Sequence, residues 1–317
     1  MANTSVVKKI LSLSPYIELA ARLMYWKNIV FFCRIRKCVP KKVNTQKAKV
    51  DFNNIVKFIN EKKEGSCDLL LVHSSYPPLE GAGLNPVQII DELLSIVGEQ
   101  GTLAMPAAPV FKNTPSMTDY LKEDKGDVFV YNVKTSPIKT GLLPAFLHRK
   151  KGSQRSRHPI NTMVAFGRLS EALMEDNISG VSPLPCGLNS SWKKCVDYDA
   201  CIVSIGTDLT HALTMVHVAE DIQDDQWAVK NWYRDKNFLI KDGEFCKYMV
   251  LRERNPKWGA LHFAERTLCK DLIDEGLLST TTIDGVIVEV LSAKKLIDFL
   301  DKRNHAAYPY FGVKKWI

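Results

Sequence analysis

The chain has 317 residues, of which 45% are hydrophobic and 25% are charged, the balance of an ordinary soluble globular protein. This length suffices for one large α/β domain or for a core with a smaller appended part, and no disulfide framework is needed to hold it. None of the eight cysteines lies in a C-x-x-C pair, which argues against a zinc ribbon or a redox motif. The sequence shows no cleavable signal peptide and therefore predicts a cytoplasmic protein.

The net charge of +8 is concentrated at the N-terminus. Residues 1–50 hold eleven Lys/Arg and one acid, Glu18, whereas the rest of the chain holds 32 bases and 34 acids. We therefore predict a basic N-terminal helical arm over residues 1–65 and the main domain over residues 66–317. No helix-turn-helix, finger or RNA-binding motif accompanies the charge, so nucleic acid is not an expected partner.

Within the arm, residues 19–32 form an apolar run that Arg22 and Lys27 interrupt. The run is shorter than the ~20 residues that a membrane span requires. The mixed pattern favours a helix that packs on the body or on a neighbouring subunit. The alternative is an amphipathic helix that rests on an anionic membrane surface.

After the basic segment over residues 1–50, the first elements are a helix over 52–64, a buried strand over 68–75, a helix over 86–97 and a second strand over 101–106. This order predicts a parallel α/β unit with a right-handed crossover. Residues 107–140 read as a long loop, and loops of this length are usually functional.

Seven further elements complete the pattern. They are helical turns over 142–148, a strand over 199–206, a helix over 212–221, antiparallel strands over 228–252, a helix over 261–275, a strand over 281–290 and a helix over 293–301. The predicted fold class is α/β, with a mixed, largely parallel central sheet flanked by helices and a smaller antiparallel β plus helix region.

The first strand ends in two serines, Ser74 and Ser75, followed by a polar turn. Ligands of open α/β sheets bind at the carboxyl ends of the strands. Hydroxyl groups and amides at this place can donate hydrogen bonds to a phosphate or amide group, although a strand-end turn without a ligand fits the residues equally well. The sequence contains neither G-x-G-x-x-G nor a Walker A loop, which removes the dinucleotide fingerprint and the P-loop.

Five bases fall between Arg149 and Arg157, in a segment that Gly152 and two serines break and that His158-Pro159 stops. A charge run is usually a solvated face. Guanidinium groups and loop amides also suit phosphate oxygens, because bidentate charge-assisted hydrogen bonds are strong. An anionic cofactor that carries several phosphates would fit this segment.

His217 and Glu220 lie three residues apart on a predicted helix and share one of its faces. A carboxylate beside an imidazole raises its basicity and fixes its tautomer, as a general base for an attacking amine requires. The same pair could instead be structural or face solvent. His211 lies nearby, but no G-x-S-x-G elbow places a nucleophilic serine.

Six segments together resemble the aminoglycoside 3-N-acetyltransferase family, in the order that the family shows them. They are Leu71-Val-His-Ser-Ser75, Gly101-Thr-Leu-Ala-Met-Pro106, Thr140-Gly-Leu-Leu-Pro-Ala-Phe146, Arg155-Ser-Arg-His-Pro159, Ser182-Pro183 and Thr214-Met-Val-His-Val-Ala-Glu220. The resemblance covers about residues 68–220 and implies an acetyltransferase fold that differs from the common GNAT fold. It also favours the catalytic interpretation of His217 over the structural one.

The resemblance implies a role for each matching residue. His217 would deprotonate the acceptor amine, Glu220 would support it, and the amine would attack the thioester of acyl-coenzyme A directly, without a metal or a tightly bound cofactor. Backbone amides would stabilise the oxyanion. Six residues are expected along the coenzyme A groove: Ser74, Ser75, Thr140, Arg155, Ser156 and His158.

The sequence departs from the family in ways that bear on the acceptor. No early acid follows the second strand, the arm is extra, and a nearly neutral body suits a polycationic drug poorly. We therefore expect a nucleotide-linked (dTDP-type) amino sugar as acceptor and an acetyl or hydroxyacyl group as donor. Four residues would bind this acceptor: Trp227, Trp232, Tyr233 and Arg234. An aromatic surface or subunit contact, in a homo-oligomer, fits these residues as well.

The sequence is also compatible with two other functions. One is an aminoglycoside 3-N-acetyltransferase that confers antibiotic resistance. The other is a binding protein for coenzyme A or a sugar nucleotide that has lost turnover and contacts a membrane assembly through its arm.

Overall fold

The computed structural model describes residues 6–29, 31–32, 49–63, 65, 68–111, 126–223, 227, 229–305 and 307–314. Within these residues a seven-stranded mixed sheet forms the centre of the molecule. From one edge to the other, its strands are β4 (Gln154–Arg155), β5 (Met163–Gly167), β2 (Thr102–Pro106), β1 (Leu69–Ser74), β6 (Cys201–Ile205), β10 (Val286–Ser292) and β9 (Ser279–Ile283). The three middle strands are parallel, and the outer strands pair antiparallel on both sides.

Helices cover both faces of this sheet, because β1 is apolar on both sides. Leu69 and Leu71 face one core, whereas Leu70 and Val72 face the other. The helices of the first core are α6 (Ser170–Met174), α7 (Ser191–Asp197), α8 (Val218–Asp221), α10 (Glu265–Asp274) and α11 (Ala293–Asn304). Those of the second core are α3 (Phe52–Lys62), α4 (Pro86–Val97) and α5 (Leu142–Arg149). This arrangement confirms the predicted α/β class with a mixed sheet.

Helix α4 shows why the sequence forms these elements where it does. The Asn85 side chain accepts hydrogen bonds from the amides of Val87 and Gln88, and the Gln88 side chain accepts one from the Asn85 amide. This capping box, with Pro86 in the first turn, fixes the start of the helix. Gly98 ends it with φ of 70°, as the sequence predicts.

A smaller three-stranded sheet has a hydrophobic core of its own. Its strands are β3 (Val128–Asn132), β7 (Tyr233–Asp242) and β8 (Phe245–Arg254), in that order. Strands β7 and β8 form the expected antiparallel hairpin, and β3 pairs parallel with β7. Helix α9 (Pro256–Leu261) follows, and β11 (Ala307–Tyr308) and β12 (Val313–Lys314) pair near the end of the chain.

Three local predictions were wrong. Residues 281–290 do not form one strand, because Asp284 and Gly285 take positive φ and turn the chain into the β9–β10 hairpin. The predicted loop over 107–140 contains β3. The predicted helix over 212–221 is a 3₁₀ turn over Thr214–His217 followed by α8, since the tighter turn places Met215 and Val216 both in the core.

The arm packs on the body through helix α2 (Pro15–Lys27), which follows the short helix α1 (Val6–Leu11). Glu18 is fully buried, and its carboxylate accepts hydrogen bonds from the amides of Arg266 and Thr267 in the first turn of α10. Helix α10 has no side-chain cap of its own at Ala264, so the arm supplies that cap. No described helix is long and apolar enough to cross a membrane.

We expect Glu18→Ala to lower the free energy of unfolding by about 2–3 kcal/mol, because it leaves buried amide donors of α10 without an acceptor. Urea denaturation of the full chain measures the change. Glu61→Ala is the control, since Glu61 is exposed on α3 and its loss should change stability by less than about 0.5 kcal/mol. Equal stability of the two variants would contradict the capping role.

Candidate active site

The chain reaches the candidate site through the turn after β6. Glu289 of β10 fixes this turn, because its carboxylate accepts a hydrogen bond from the Leu209 amide at 2.6 Å. Gly206 has φ of 72°, and a Cβ there would lie 2.6 Å from the Ser75 carbonyl oxygen. The close approach of these two strand ends therefore requires glycine. From this turn the chain enters the 3₁₀ turn that ends at His217.

His217 and Glu220 are in contact, as the sequence predicts. Nδ1 of His217 lies 3.1 Å from Oε2 and 3.3 Å from Oε1 of Glu220, a carboxylate that is 2% exposed. The carboxylate can only accept, so Nδ1 of the neutral ring carries the proton and donates it. This tautomer leaves the lone pair on Nε2.

Arg254, at the end of β8, completes this group on the other side of the carboxylate. A guanidinium nitrogen of Arg254 lies 3.7 Å from Oε1 of Glu220. Gly259 makes room for it, because a Cβ there would lie 2.8 Å from the Arg254 guanidinium. The buried carboxylate thus has a cation on one side and an imidazole on the other, which offsets the cost of its burial.

The pKa of His217 lies below its usual value of 6.5. Burial is the largest cause, and the Arg254 charge acts in the same direction, whereas the carboxylates of Glu220 and Glu265 oppose both. A lowered pKa keeps the imidazole neutral at physiological pH. His217 therefore has the protonation state that a general base needs.

Asp221, the last residue of α8, is held by hydrogen bonds that involve Tyr233. Asp221 accepts hydrogen bonds from the Tyr233 hydroxyl and from the Cys186 amide, both at 2.9 Å. Burial and the nearby Glu220 raise the pKa of Asp221 to about 7. Tyr233 was expected to contact substrate, and the structure instead shows it anchoring the residue next to Glu220.

A cavity of about 150 Å³ opens at His217. Its walls include Thr210, Thr214, Arg254, Phe263, Glu265 and Cys269. Glu265 begins α10, and Arg22 of the arm pairs with it at 2.5 Å while also donating hydrogen bonds to the carbonyls of Gly259 and Ala260. One wall of the cavity is therefore held by the arm.

Ser74, Ser75 and Thr140 gather at the carboxyl edge of the sheet. The Thr140 hydroxyl donates to the Pro106 carbonyl at 2.6 Å, and the Ser75 amide donates to the Ile205 carbonyl at 2.9 Å. Gly141 lies against Ser74, since a Cβ built on it would be 3.7 Å from the Ser74 carbonyl oxygen. The structure thus brings these three predicted residues together at the strand ends where ligands bind.

The other predicted coenzyme A residues, Arg155, Ser156 and His158, are buried and have partners inside the protein. The Arg155 guanidinium donates to the carbonyls of Val133, Ser136 and Ala107. The Ser156 hydroxyl donates to the Asn177 side chain, and both ring nitrogens of His158 lie about 3 Å from backbone carbonyls. These side chains hold the surrounding loops together, and their place along a coenzyme A groove stays a prediction.

The expected substrate residues Trp227 and Trp232 lie in the core. They are 6% and 3% exposed, and their ring centroids are 5.1 Å apart. The rings pack against Tyr308 and Phe311 near the end of the chain. Arg234 pairs with Glu253 at 2.5 Å. The two indole rings are therefore part of the core, where burial of their apolar area stabilises them, and not of an open binding surface.

The sequence did not predict the contact of Arg254 with Glu220 or the place of Glu265 on the cavity wall. For Arg254 the signal was present, because the β7–β8 hairpin pairs Tyr233 with Arg254 and so carries residue 254 back to the site. No local pattern connects Glu265 with His217. Among the described residues, no group of three or more His, Cys, Asp or Glu side chains is arranged to hold a metal ion.

Comparison with known proteins places these features in a family. The family model described as aminoglycoside 3-N-acetyltransferase matches residues 71–304. Aminoglycoside N(3)-acetyltransferase VII of Streptomyces paromomycinus is 28% identical over 166 residues, which are 50% of this chain and 56% of that protein. The chain thus matches little more than half the length of this curated relative.

Two solved structures show the same fold. The aminoglycoside acetyltransferase AAC(3)-Xa aligns with a TM-score of 0.65 and 17% identity, over 83% of this chain and 94% of its own. AAC-IIIb in binary complex with CoASH aligns with a TM-score of 0.63 and 19% identity, over 79% of this chain and 94% of its own. These neighbours confirm the fold class predicted from the sequence.

Proposed function

Because the chain belongs to the aminoglycoside 3-N-acetyltransferase family, we propose that it transfers an acetyl group from acetyl-coenzyme A to an amine of an aminoglycoside. The observation that carries this proposal is the contact between His217 and Glu220 at the edge of a cavity, with Nε2 of a neutral imidazole left to accept a proton. Both residues stand in the segment Thr214-Met-Val-His-Val-Ala-Glu220, which lies within the family match.

The reaction then proceeds by direct attack. The lone pair of the acceptor nitrogen forms a bond to the thioester carbonyl carbon, and Nε2 of His217 takes the proton that this nitrogen loses. The tetrahedral intermediate collapses with cleavage of the carbon–sulfur bond, and the proton passes to the departing thiolate to give free coenzyme A. Glu220 stabilises the imidazolium that exists between these two transfers.

The charge of the cavity wall does not by itself select an acceptor. Glu265 lies on the wall beside His217, and it pairs with Arg22. Burial raises the pKa of the Cys269 thiol on the same wall, and the negative charges of Glu289, Asp208, Glu265 and Glu18 add to the increase. Arg254 lines the same cavity, so the lining carries charges of both signs. The proposed acceptor class therefore rests on the family.

The nucleotide-linked amino sugar expected from the sequence loses its structural basis. Its base was to stack on Trp227 and Trp232, which are buried, and its diphosphate was to bind Arg234, which pairs with Glu253. The family and the curated relative also point to aminoglycosides rather than to nucleotide sugars. The aminoglycoside acceptor, the alternative at the sequence level, is therefore the one we propose.

The test is release of free thiol from acetyl-coenzyme A, with a panel of aminoglycosides and nucleotide-linked amino sugars as acceptors. We expect release with at least one aminoglycoside and a product that carries one added acetyl group by mass spectrometry. Release with a nucleotide-linked amino sugar alone would overturn the proposed acceptor and keep the acyl transfer. No thiol release with any acceptor, at concentrations that saturate related acetyltransferases, would overturn both the proposed acceptor and the acyl transfer.

A further inference from the structure

Helix α2 of the arm packs on the body with both charged and apolar side chains. Glu18 caps α10 and Arg22 pairs with Glu265, and Leu19 is buried beside them. A surface helix of a water-soluble protein normally directs its apolar stripe inward and its charges outward. In α2, by contrast, Tyr16, Ile17 and Met24 lie on the exposed side.

The exposed side of α1, α2 and the residues next to them carries several large apolar side chains. We call it the outer arm face, and its members are Ile10, Leu13, Tyr16, Ile17, Met24 and Phe31. Leu13 is 68% exposed, and Met24 and Phe31 are each 60% exposed. Within α2 these residues follow helical spacing, so they form one stripe rather than scattered exposures. Contiguous apolar patches of this kind mark interaction sites.

The charge around this face is cationic. Lys9 and Lys27 are exposed on the same two helices, and Lys49 is exposed shortly before α3. In the sequence, residues 27–49 contain eight Lys/Arg and no Asp or Glu. The one acid of the first 50 residues, Glu18, is buried against α10.

We propose that the outer arm face docks on the surface of an anionic lipid bilayer, with its apolar side chains among the acyl chains and its lysines at the headgroups. Helices that lie in a membrane interface combine these two features, an apolar stripe and flanking cations. Basic segments next to such a helix add electrostatic attraction to anionic lipids. A second copy of the chain would meet an equally basic surface, and like charges oppose that contact.

The test is co-sedimentation of the full chain with vesicles of phosphatidylcholine alone or of phosphatidylcholine mixed with phosphatidylserine. We expect binding to the mixed vesicles, weaker by about tenfold or more on vesicles without the anionic lipid. High salt should weaken binding too, because the headgroup attraction is screened. The double variant Leu13→Glu with Met24→Glu should reduce binding to the mixed vesicles by about tenfold or more.

A matched control separates the loss of the outer arm face from the effect of two added negative charges. Val181→Glu with Leu188→Glu introduces the same two acids in place of exposed apolar residues on the body, at positions 98% and 69% exposed. We expect this control to bind vesicles as the natural chain does. Equal loss in both double variants would overturn the assignment to the outer arm face. Absence of binding to the mixed vesicles would overturn the proposed membrane contact. A dimer in solution that the Leu13/Met24 double variant dissociates would also overturn it, and would assign the outer arm face to a second copy of the chain.

Discussion

His217→Ala is expected to lower kcat/KM for the acceptor amine by about 10²–10⁴-fold, the range that loss of a general base usually produces. His217 lines the cavity and its Nε2 keeps a lone pair, because Nδ1 donates to Glu220, and the variant removes this base. Thiol release at saturating acetyl-coenzyme A measures the loss. The KM for acetyl-coenzyme A should change little, because the imidazole acts on the acceptor.

His305→Ala is the control for this variant, since His305 is exposed at the end of α11. It should retain full activity. A loss of less than about tenfold in His217→Ala would assign the proton transfer to another group, because binding and orientation alone would then account for the rate.

Glu220→Gln is expected to lower kcat by about 10²-fold, with a smaller change in the KM for the acceptor. The amide keeps the shape of the side chain but removes the negative charge that stabilises the imidazolium. Glutamine can also present its NH₂ group to Nδ1, which would favour the opposite tautomer and place the proton on Nε2. The loss should therefore appear mainly in the chemical step.

The pH profile distinguishes this role from a structural one. A base works when it is neutral, so kcat/KM falls as pH drops through the pKa of His217, which lies below 6.5. Glu220 favours the charged imidazolium and holds that pKa up. Removing its charge should move the acid limb of the profile to lower pH, away from neutrality, while the plateau falls.

Glu253→Gln provides the comparison for Glu220→Gln. Glu253 is another buried carboxylate, and it pairs with Arg234 and Lys236 rather than with His217. This variant should lose stability without moving the acid limb. The assigned contact between His217 and Glu220 would be contradicted if the acid limb of the pH profile did not move in Glu220→Gln. It would also be contradicted if the limb moved equally in Glu253→Gln.

The sequence predicted those parts of the fold that depend on local pattern. The buried run of β1 and the capped helix α4 are readable because their signals lie within the elements themselves. Strand β5 was missed, since five residues of Met-Val-Ala-Phe-Gly are too short to distinguish strand from helix by periodicity. The β9–β10 turn carried an Asp-Gly signal, but the β-branched residues on both sides of it continued the strand pattern.

The site residues also divide into those that local sequence pattern predicts and those that only tertiary packing brings together. His217 and Glu220 are three residues apart, so their contact follows from the geometry of a turn whether α-helical or 3₁₀. Arg254 and Glu265 come from distant segments, and only the packing of β8 and α10 brings them to the cavity. The burial of Trp227 and Trp232 depends on Tyr308 and Phe311, some eighty residues further along the chain. Composition cannot reveal such partners.

The ion pair between Arg22 and Glu265 makes α2 common to two surfaces, the cavity wall on its inner side and the outer arm face on its other side. Two ligands that bind a shared rigid element are subject to reciprocal thermodynamic linkage. If lipid contact shifts α2 and changes the affinity for the acceptor by some factor, the acceptor must change the affinity for lipid by that same factor. The affinity of the enzyme for its acceptor would then differ between the bilayer surface and solution. Saturation with acceptor would in turn change the fraction of enzyme bound to the bilayer.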